Sequence, residues 1–493
     1  MRELVSSQYS AFQWIAVWML LCFDPLPANA LQQAVFGEEG VAEIHAAVNL
    51  SDLARREAGQ PPPTSRRRVV PFMPMPPRPD VPPVAAPPAA GEGSSGPPTA
   101  PSLTPSPAPA IGFQALGDDD TVIPPDTQGA AGPNHLMVTL NSQVRVQNKS
   151  GGILSTVLLD SFWSSTGATV VFDPKLTYDP FNNRWIFAAV SNPQSANSSV
   201  LIGASQTSDP TGNWNLYRVD VDAQNRNWAD YPSLGFNKDW IVVTVNMFSI
   251  VAGQYKNSSL YTFRKANIYA GNAATFKLFT DRNGFTQAPA VTYENTLGTL
   301  YLVEFWNGNS GGSGYLRLST ISGAIGSEVY TAGTAFPNTP NPWAFGPPGY
   351  ADFAPQKDST RKIQLNDSRI INVVYRNGSL WAAQTAFLPA NSPTRAAAQW
   401  WQLAPSGTVQ QFGRVDDAAG TFFYAFPSIA VNTRNDVLLG FSSFASTQYA
   451  SAGYAFRAAS DPSEHDAFGC FIESRRSQLL QNVQRDGKSL GRL

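Results

Sequence analysis

From about Gly112 the chain alternates apolar and polar residues in short runs that end in Pro, Gly, Asn or Asp, the period-two pattern of half-buried strands. One plan recurs: a breaker, an alternating strand, a polar turn with Asn or Asp, and a second apolar strand. It runs through "DPKLTYDPFNNRWIFAAVS" from Asp173, "DYPSLGFNKDWIVVTVNMF" from Asp230 and "QAPAVTYENTLGTLYLVEF" from Gln287. It returns in "NDSRIINVVYRNGSLWAAQT" from Asn366, a weaker copy without proline, and in "AFPSIAVNTRNDVLLGFSSF" from Ala425. The stretch "PPDTQGAAGPNHLMVTLNS" (124–142) fits the same plan and makes a sixth copy. Most copies continue into one or two further strands, such as "SSVLIGASQTS" and "WNLYRVDV". Three to four strands per unit of roughly 50–70 residues is the pattern of propeller blades. The expected fold is all-β, a β-propeller over 111–462 with six recognisable blades, or seven.

The rest of the chain reads differently. Residues 1–30 look like an export signal, with the apolar run "AFQWIAVWMLLCF" and a small-residue "ANA" ending at Ala30. That run is too short to span a bilayer comfortably, and no other segment is apolar enough to cross one. Residues 31–60 are expected to hold one short helix, since 40–59 have helical propensity. Eighteen of the forty prolines fall in 61–109, so 61–110 reads as a disordered Pro-rich linker, and 31–110 as a whole as exposed and uncompacted. The tail 463–493 has no strand alternation and is expected to lie outside the sheet. Ring closure is expected from "IGFQAL" (111–116) pairing into one blade with "SAGYAFRAAS" (451–460).

Charge and composition narrow the function. Lys plus Arg number 34 against 36 Asp plus Glu, which gives no electrostatic case for nucleic acid or an anionic membrane. Only Cys22 and Cys470 are present, so loss of the leader leaves a single thiol. His45, His135 and His465 stand far apart, no CxxC or DxDxDG appears, and neither metal nor cofactor is expected.

The candidate chemistry lies where repeats begin. Asp126, Asp173, Asp179, Asp230, Tyr231 and Asp352 stand at or near those starts, where propeller loops converge on one face. A carboxylate pair there suits glycosidic acid/base work, and aromatics such as Tyr178, Tyr231 and Trp343 suit stacking on sugar rings. The competing and favoured reading is that the Asp residues cap turns, because a repeated Asp is explained by the repeat itself. Within the opening copy, 126–134 reads as approach loop and hairpin turn, with Gly129 and Gly132 relaxing the backbone. Asn366 heads one of the N-x-S sequons.

"TSDPTGNW" (207–214) loosely resembles the Asp-box of sialidase-like propellers, with Gly212 one residue later than the box places it. More widely, 112–461 resembles a group of uncharacterised, secreted bacterial β-propeller proteins. The resemblance rests on "PPDTQGAAGPNH", "DPKLTYDPFNNRWIF", "SQTSDPTGNW", "DYPSLGFNKDWIVVTVNMF" and "FPSIAVNTRNDVLLGFS". It implies a secreted propeller and no agreed activity. Members continue past the final repeat into a further blade containing Arg-Trp-Gly-Asp-Tyr, where this chain instead runs into its irregular tail. The functional expectation is a secreted or surface-tethered monomer that recognises a glycan or protein ligand. The alternative is a carbohydrate-active hydrolase or lyase, sialidase-like, on the same face.

Overall fold

The computed structural model describes residues 34–59, 68–76, 78, 106–461 and 470–472. The N-terminal part contributes strands β1 (Ala34–Phe36), β2 (Glu38–Val41) and β3 (Ile44–Asn49), helix α1 (Leu50–Glu57), and β4 (Arg68–Val69) beside β5 (Val122–Ile123). Six four-stranded units follow. Blade 1 is β6 (Gln128–Ala131), β7 (His135–Thr139), β8 (Gln143–Asn148) and β9 (Ile153–Leu158). Blade 2 is β10 (Val171–Asp179), β11 (Arg184–Ser191), β12 (Ser199–Ser205) and β13 (Asn213–Asp220). Blade 3 is β14 (Asn227–Phe236), β15 (Trp240–Ser249), β16 (Tyr255–Arg264) and β17 (Thr275–Asp281). Blade 4 is β18 (Ala288–Thr292), β19 (Leu300–Ser310), β20 (Ser313–Ser322) and β21 (Val329–Ala335), with the short β22 (Asn338–Thr339) on β20. Blade 5 is β23 (Ile370–Arg376), β24 (Ser379–Leu388), β25 (Arg395–Leu403) and β26 (Val409–Val415). Blade 6 is β27 (Phe423–Val431), β28 (Val437–Ala445), β29 (Gln448–Arg457) and β30 (Cys470–Ile472).

Within each blade consecutive strands pair antiparallel, while neighbouring first strands run parallel, β14 with β18 and β18 with β23. First strands gathered in parallel around an axis, with the other strands fanning outwards, make this a six-bladed β-propeller.

Local chemistry explains the repeated hairpin. Its polar turn carries an Asn or Asp whose side chain accepts backbone N–H groups that the turn leaves over. Asn237 Oδ1 accepts from the N–H of Asp239 (2.9 Å) and Trp240 (2.8 Å). Asp179 Oδ1 accepts from Phe181 (2.9 Å) and Asn182 (3.2 Å), and Asn432 Oδ1 from Arg434 and Asp436. Gly132 has another reason than backbone freedom: a Cβ there would sit 2.6 Å from the Trp185 indole.

Successive blades are sealed by apolar clusters, one for each junction from blade 1–2 to blade 5–6. Trp185, Trp240 and Trp381 are fully buried in three of them. They are not at equivalent positions. In the hairpin frame Trp240 matches Arg184, Trp185 matches Ile241, and Trp381 lies one residue further along. A one-residue offset changes the face of a strand, so Trp185 points back to blade 1 while the other two point forward.

Three expectations are corrected, and the expected short helix is present but confined to Leu50–Glu57. The segment before the propeller is not all exposed: β3, β2 and β1 add as fifth strands to the outer edges of blades 2, 3 and 4. Edge strands left bare invite foreign pairing, and this belt covers three of them. The helix begins only at Leu50, where Asn49 accepts the N–H of Asp52, because 44–49 are drawn into the edge of β13 with His45 stacked on Tyr217 at 4.6 Å. Part of the Pro-rich linker is also packed. Val70 and Met73 are buried in the blade 2–3 cluster, and Arg78 reaches Glu304 in blade 4. Finally, 111–116 form no strand, and the tail supplies the fourth strand of blade 6 through Cys470–Ile472. The proposed leader 1–30, most of the linker and the rest of the tail lie outside the described residues.

Candidate functional site

The first strands carry a shared irregularity at the end where the chain enters each blade. In blades 2, 3 and 6 the pairing slips between Phe172 and Lys175, Asp230 and Ser233, and Ala425 and Ser428. Each slip holds a residue in the left-handed region followed by proline: Asp173 (φ 52°), Tyr231 (φ 52°) and Phe426 (φ 53°). Proline suits a bulge because the extra residue donates no ladder hydrogen bond. Non-glycine residues seldom adopt positive φ, least of all an aromatic. Asp126 (φ 48°), Thr286 (φ 50°) and Asn366 (φ 58°) hold the same backbone region at the starts of blades 1, 4 and 5.

Side chains from the same or the preceding blade clamp these residues. Asn141 of blade 1 donates to Asp126 Oδ2 (2.8 Å) and accepts the N–H of Asp173 (2.7 Å) in blade 2. Asn246 of blade 3 accepts from Thr286 N–H (2.7 Å), and Thr385 of blade 5 from Phe426 N–H (3.0 Å).

The bulges border an axial cavity of about 370 Å³. Its lining includes Asp126, Asp173, Lys175, Tyr231, Asn366 and Phe426, drawn from blades 1, 2, 3 and 6 and the loop into blade 5. Carboxylates, an ammonium, an amide and two aromatic residues therefore line one concave space.

Behind the lining, cations and rings alternate. Lys175 Nζ lies 5.1 Å from the Tyr231 ring centre, and the Arg369 guanidinium lies 4.2 Å from the same ring. Arg369 is also 5.2 Å from Phe285, which Arg78 approaches at 5.8 Å, and Trp306 has both Arg78 and Arg317 at 5.1 Å. Such contacts gain strength where water is excluded. The buried cations are matched by acids. Arg369 makes a two-pronged contact with Asp367 at 2.7 and 2.6 Å. Burial alone would lower the Arg369 pKa, but Asp367, Tyr231 and Asp230 raise it above the ordinary value. Arg317 bonds Glu304 (2.6 Å) and Asp281 (2.7 Å), and Arg78 adds a second guanidinium on Glu304 (2.9 Å). This scaffold fixes Tyr231 from behind the cavity.

The sequence candidates divide. Asp126, Asp173 and Tyr231 line one cavity, and Asp230 is buried immediately beside them. Asp179 lies at the far end of β10, roughly 20 Å along the strand from Asp173. There it binds Lys265 (3.1 Å), Tyr269 (2.8 Å) and Asn182 (2.9 Å), a buried tie between blades 2 and 3. Burial lowers the Lys265 pKa despite that carboxylate, and burial followed by Asp179 raises Tyr269. Asp352 is exposed in the loop between blades 4 and 5, outside the cavity lining.

Lys175, Asn366 and Phe426 escaped sequence reasoning. The one signal was the recurring X-Pro at blade starts, which marks the bulges. Among the described residues no group of three His, Cys, Asp or Glu is placed to hold a metal, and no helix is long and apolar enough to cross a membrane. In "TSDPTGNW", Asp209 Oδ1 accepts from Thr211 N–H (2.9 Å) and the buried Trp214 donates to Pro210 O (2.8 Å). That turn also receives the first backbone N–H groups of α1, so its role is to anchor the belt.

No family model and no curated protein matches this chain, so the likeness to secreted bacterial propellers has no support at the sequence level. Solved structures are similar at low identity. The hemagglutinin-neuraminidase ectodomain of parainfluenza virus 5 is 10% identical with a TM-score of 0.38, covering 75% of this chain and 83% of that one. A sialidase from Trypanosoma rangeli, in complex with the inhibitor DANA, is 12% identical with a TM-score of 0.38, covering 67% and 54%. A GH43 endo-arabinanase from Bacillus licheniformis is 10% identical with a TM-score of 0.28, covering 58% and 92%.

Proposed function

We propose that this chain is a secreted, monomeric recognition module that holds a carbohydrate in the axial cavity without a cofactor. The observation that carries the reading is the lining itself. Asp126, Asp173 and Asn366 offer acceptors for sugar hydroxyls, while Tyr231 and Phe426 offer apolar faces for ring carbons. The strained bulges add to it, since backbone held in sparse regions clusters where a side chain must be aimed.

A second reading, glycoside hydrolysis, draws support from two carboxylates, Asp126 and Asp173, lining one cavity. A glycan array combined with a hydrolysis screen tests both on the full chain. The recognition reading expects saturable binding without turnover, weakened by Asp126→Asn or Asp173→Asn. The hydrolytic reading expects turnover that either substitution abolishes while binding persists. Absence of both binding and turnover would remove the carbohydrate assignment.

A further inference from the structure

Five blade junctions are closed by apolar clusters, and the sixth, between blade 6 and blade 1, has none among the described residues. The facing walls are small and open: Gly129 and Ala131 on β6, Ser428 and Ala430 on β27, all exposed. No strand pairing joins the two blades. The outer half of this seam is filled instead by residues 106–116. Arg145 and Gln147 of blade 1 donate to the carbonyls of Ala115 and Gln114, and Tyr454 of blade 6 donates to that of Pro107. The inner half is continuous with the axial cavity, whose lining passes from Asp126 and Asp173 out to Gly129, Val138, Ser428 and Ala115.

We propose that the inner seam is a second subsite that takes the following residues of a linear saccharide chain whose end sits at the axis. The inference rests on the carbohydrate reading and adds chain length and direction to it. Asn366, in the loop into blade 5, bears on the axial end of that chain: the residue is 3% exposed and lines the cavity, and its Oδ1 accepts no hydrogen bond from any described residue. Native proteins rarely leave a buried acceptor without a donor, and a ligand hydroxyl supplies one. Facing sheets stand about 10 Å apart. Where their side chains shrink to Gly, Ala and Ser, a flat slot remains between them that suits a sugar ring. A slot that is polar at its backbone edges and short of apolar side chains disfavours an apolar occupant. The plug at 106–116 limits its depth, so the gain from chain length ends after about three sugar residues, given a cavity at the small end of the usual range.

Calorimetric titration of the full chain with xylo-, cello- and chito-oligosaccharides of one to six residues, together with the linear glycans an array selects, reads this directly. The expected result is a Kd that falls at least tenfold from one to three residues in one series and then levels. Ala430→Trp, on the seam wall beyond the cavity lining, should abolish that gain while leaving the melting temperature and monosaccharide binding unchanged. If that variant does not fold, Ala131→Leu narrows the opposite wall. Binding that is independent of length, or a length gain that survives the folded variant, overturns the subsite and leaves the carbohydrate reading standing. No binding in any series or on the array overturns both.

Discussion

The junction between blades 2 and 3 and that between blades 6 and 1 use the same strand architecture to opposite ends. In the first, Ile186, Ala188 and Val190 of β11 meet Ile241, Val243 and Val245 of β15, all essentially without solvent contact. In the second, the outward set of β28 is Leu438, Gly440 and Ser442, with Leu438 45% exposed. Burial of large side chains makes one junction a core, and their absence makes the other a slot. A propeller is thus not obliged to seal every junction equally, because five apolar junctions and an N-terminal belt hold the ring around the sixth.

Substitutions can break that contrast, and the largest loss belongs to the closed junctions. Trp240→Ala, in the blade 3–4 cluster, is expected to cost about 3–5 kcal/mol in denaturant unfolding. A loss under about 1 kcal/mol would mean the closed junctions resemble the seam. Arg317→Met leaves Asp281 without a cation in the interior, while Glu304 keeps Arg78, and should cost about 3 kcal/mol, seen as a lowered melting temperature.

Acid should act on the same network. Burial pushes the Asp281 carboxyl up, but Arg317, Tyr330 and the Asn283 N–H outweigh it and hold the group below its ordinary 3.8. A carboxyl depressed by folding stabilises above its unfolded value, and that contribution disappears as pH falls through the folded one. Melting temperature should therefore drop below about pH 4, by on the order of 1 kcal/mol of stability per unit of pKa shift. In Arg317→Met that acid drop should shrink, because the carboxyl loses the cation that holds it low. Leu438→Ala, at the seam, is the smallest effect, within about 0.5 kcal/mol of wild type. A loss as large as that of Trp240→Ala would show the seam to be closed in solution.

Much of the ring was legible in the chain because each blade repeats a local rule. Alternation gave the strands, and the Asn or Asp of each turn caps its own backbone. Pro174, Pro232 and Pro427 could be counted, but their meaning as bulge residues depends on a partner strand that local pattern does not reveal. The belt was missed because "AVFGEEGVAEIHAAV" is short, broken by glycine and good at forming helix, so only the free edges of β13, β17 and β21 decide its state. Arg78 and Glu304 lie 226 residues apart, beyond any spacing rule. At the site, Asp126 and Asp173 followed from repeat position, whereas Asn366 was visible only as a sequon in the copy without proline.

The belt also sets an order of events in time. Ala34 pairs with Thr331, Glu38 with Leu278 and Ile44 with Arg218, so the belt, made before the blades, has no docking edge until blades 2 to 4 exist. Contacts so distant along the chain are slow to form. Folding of this ring should therefore finish with the belt strands closing over blades already assembled. Until then those three blade edges stay available to chaperones, proteases or another chain, and assembly is most vulnerable in its last step.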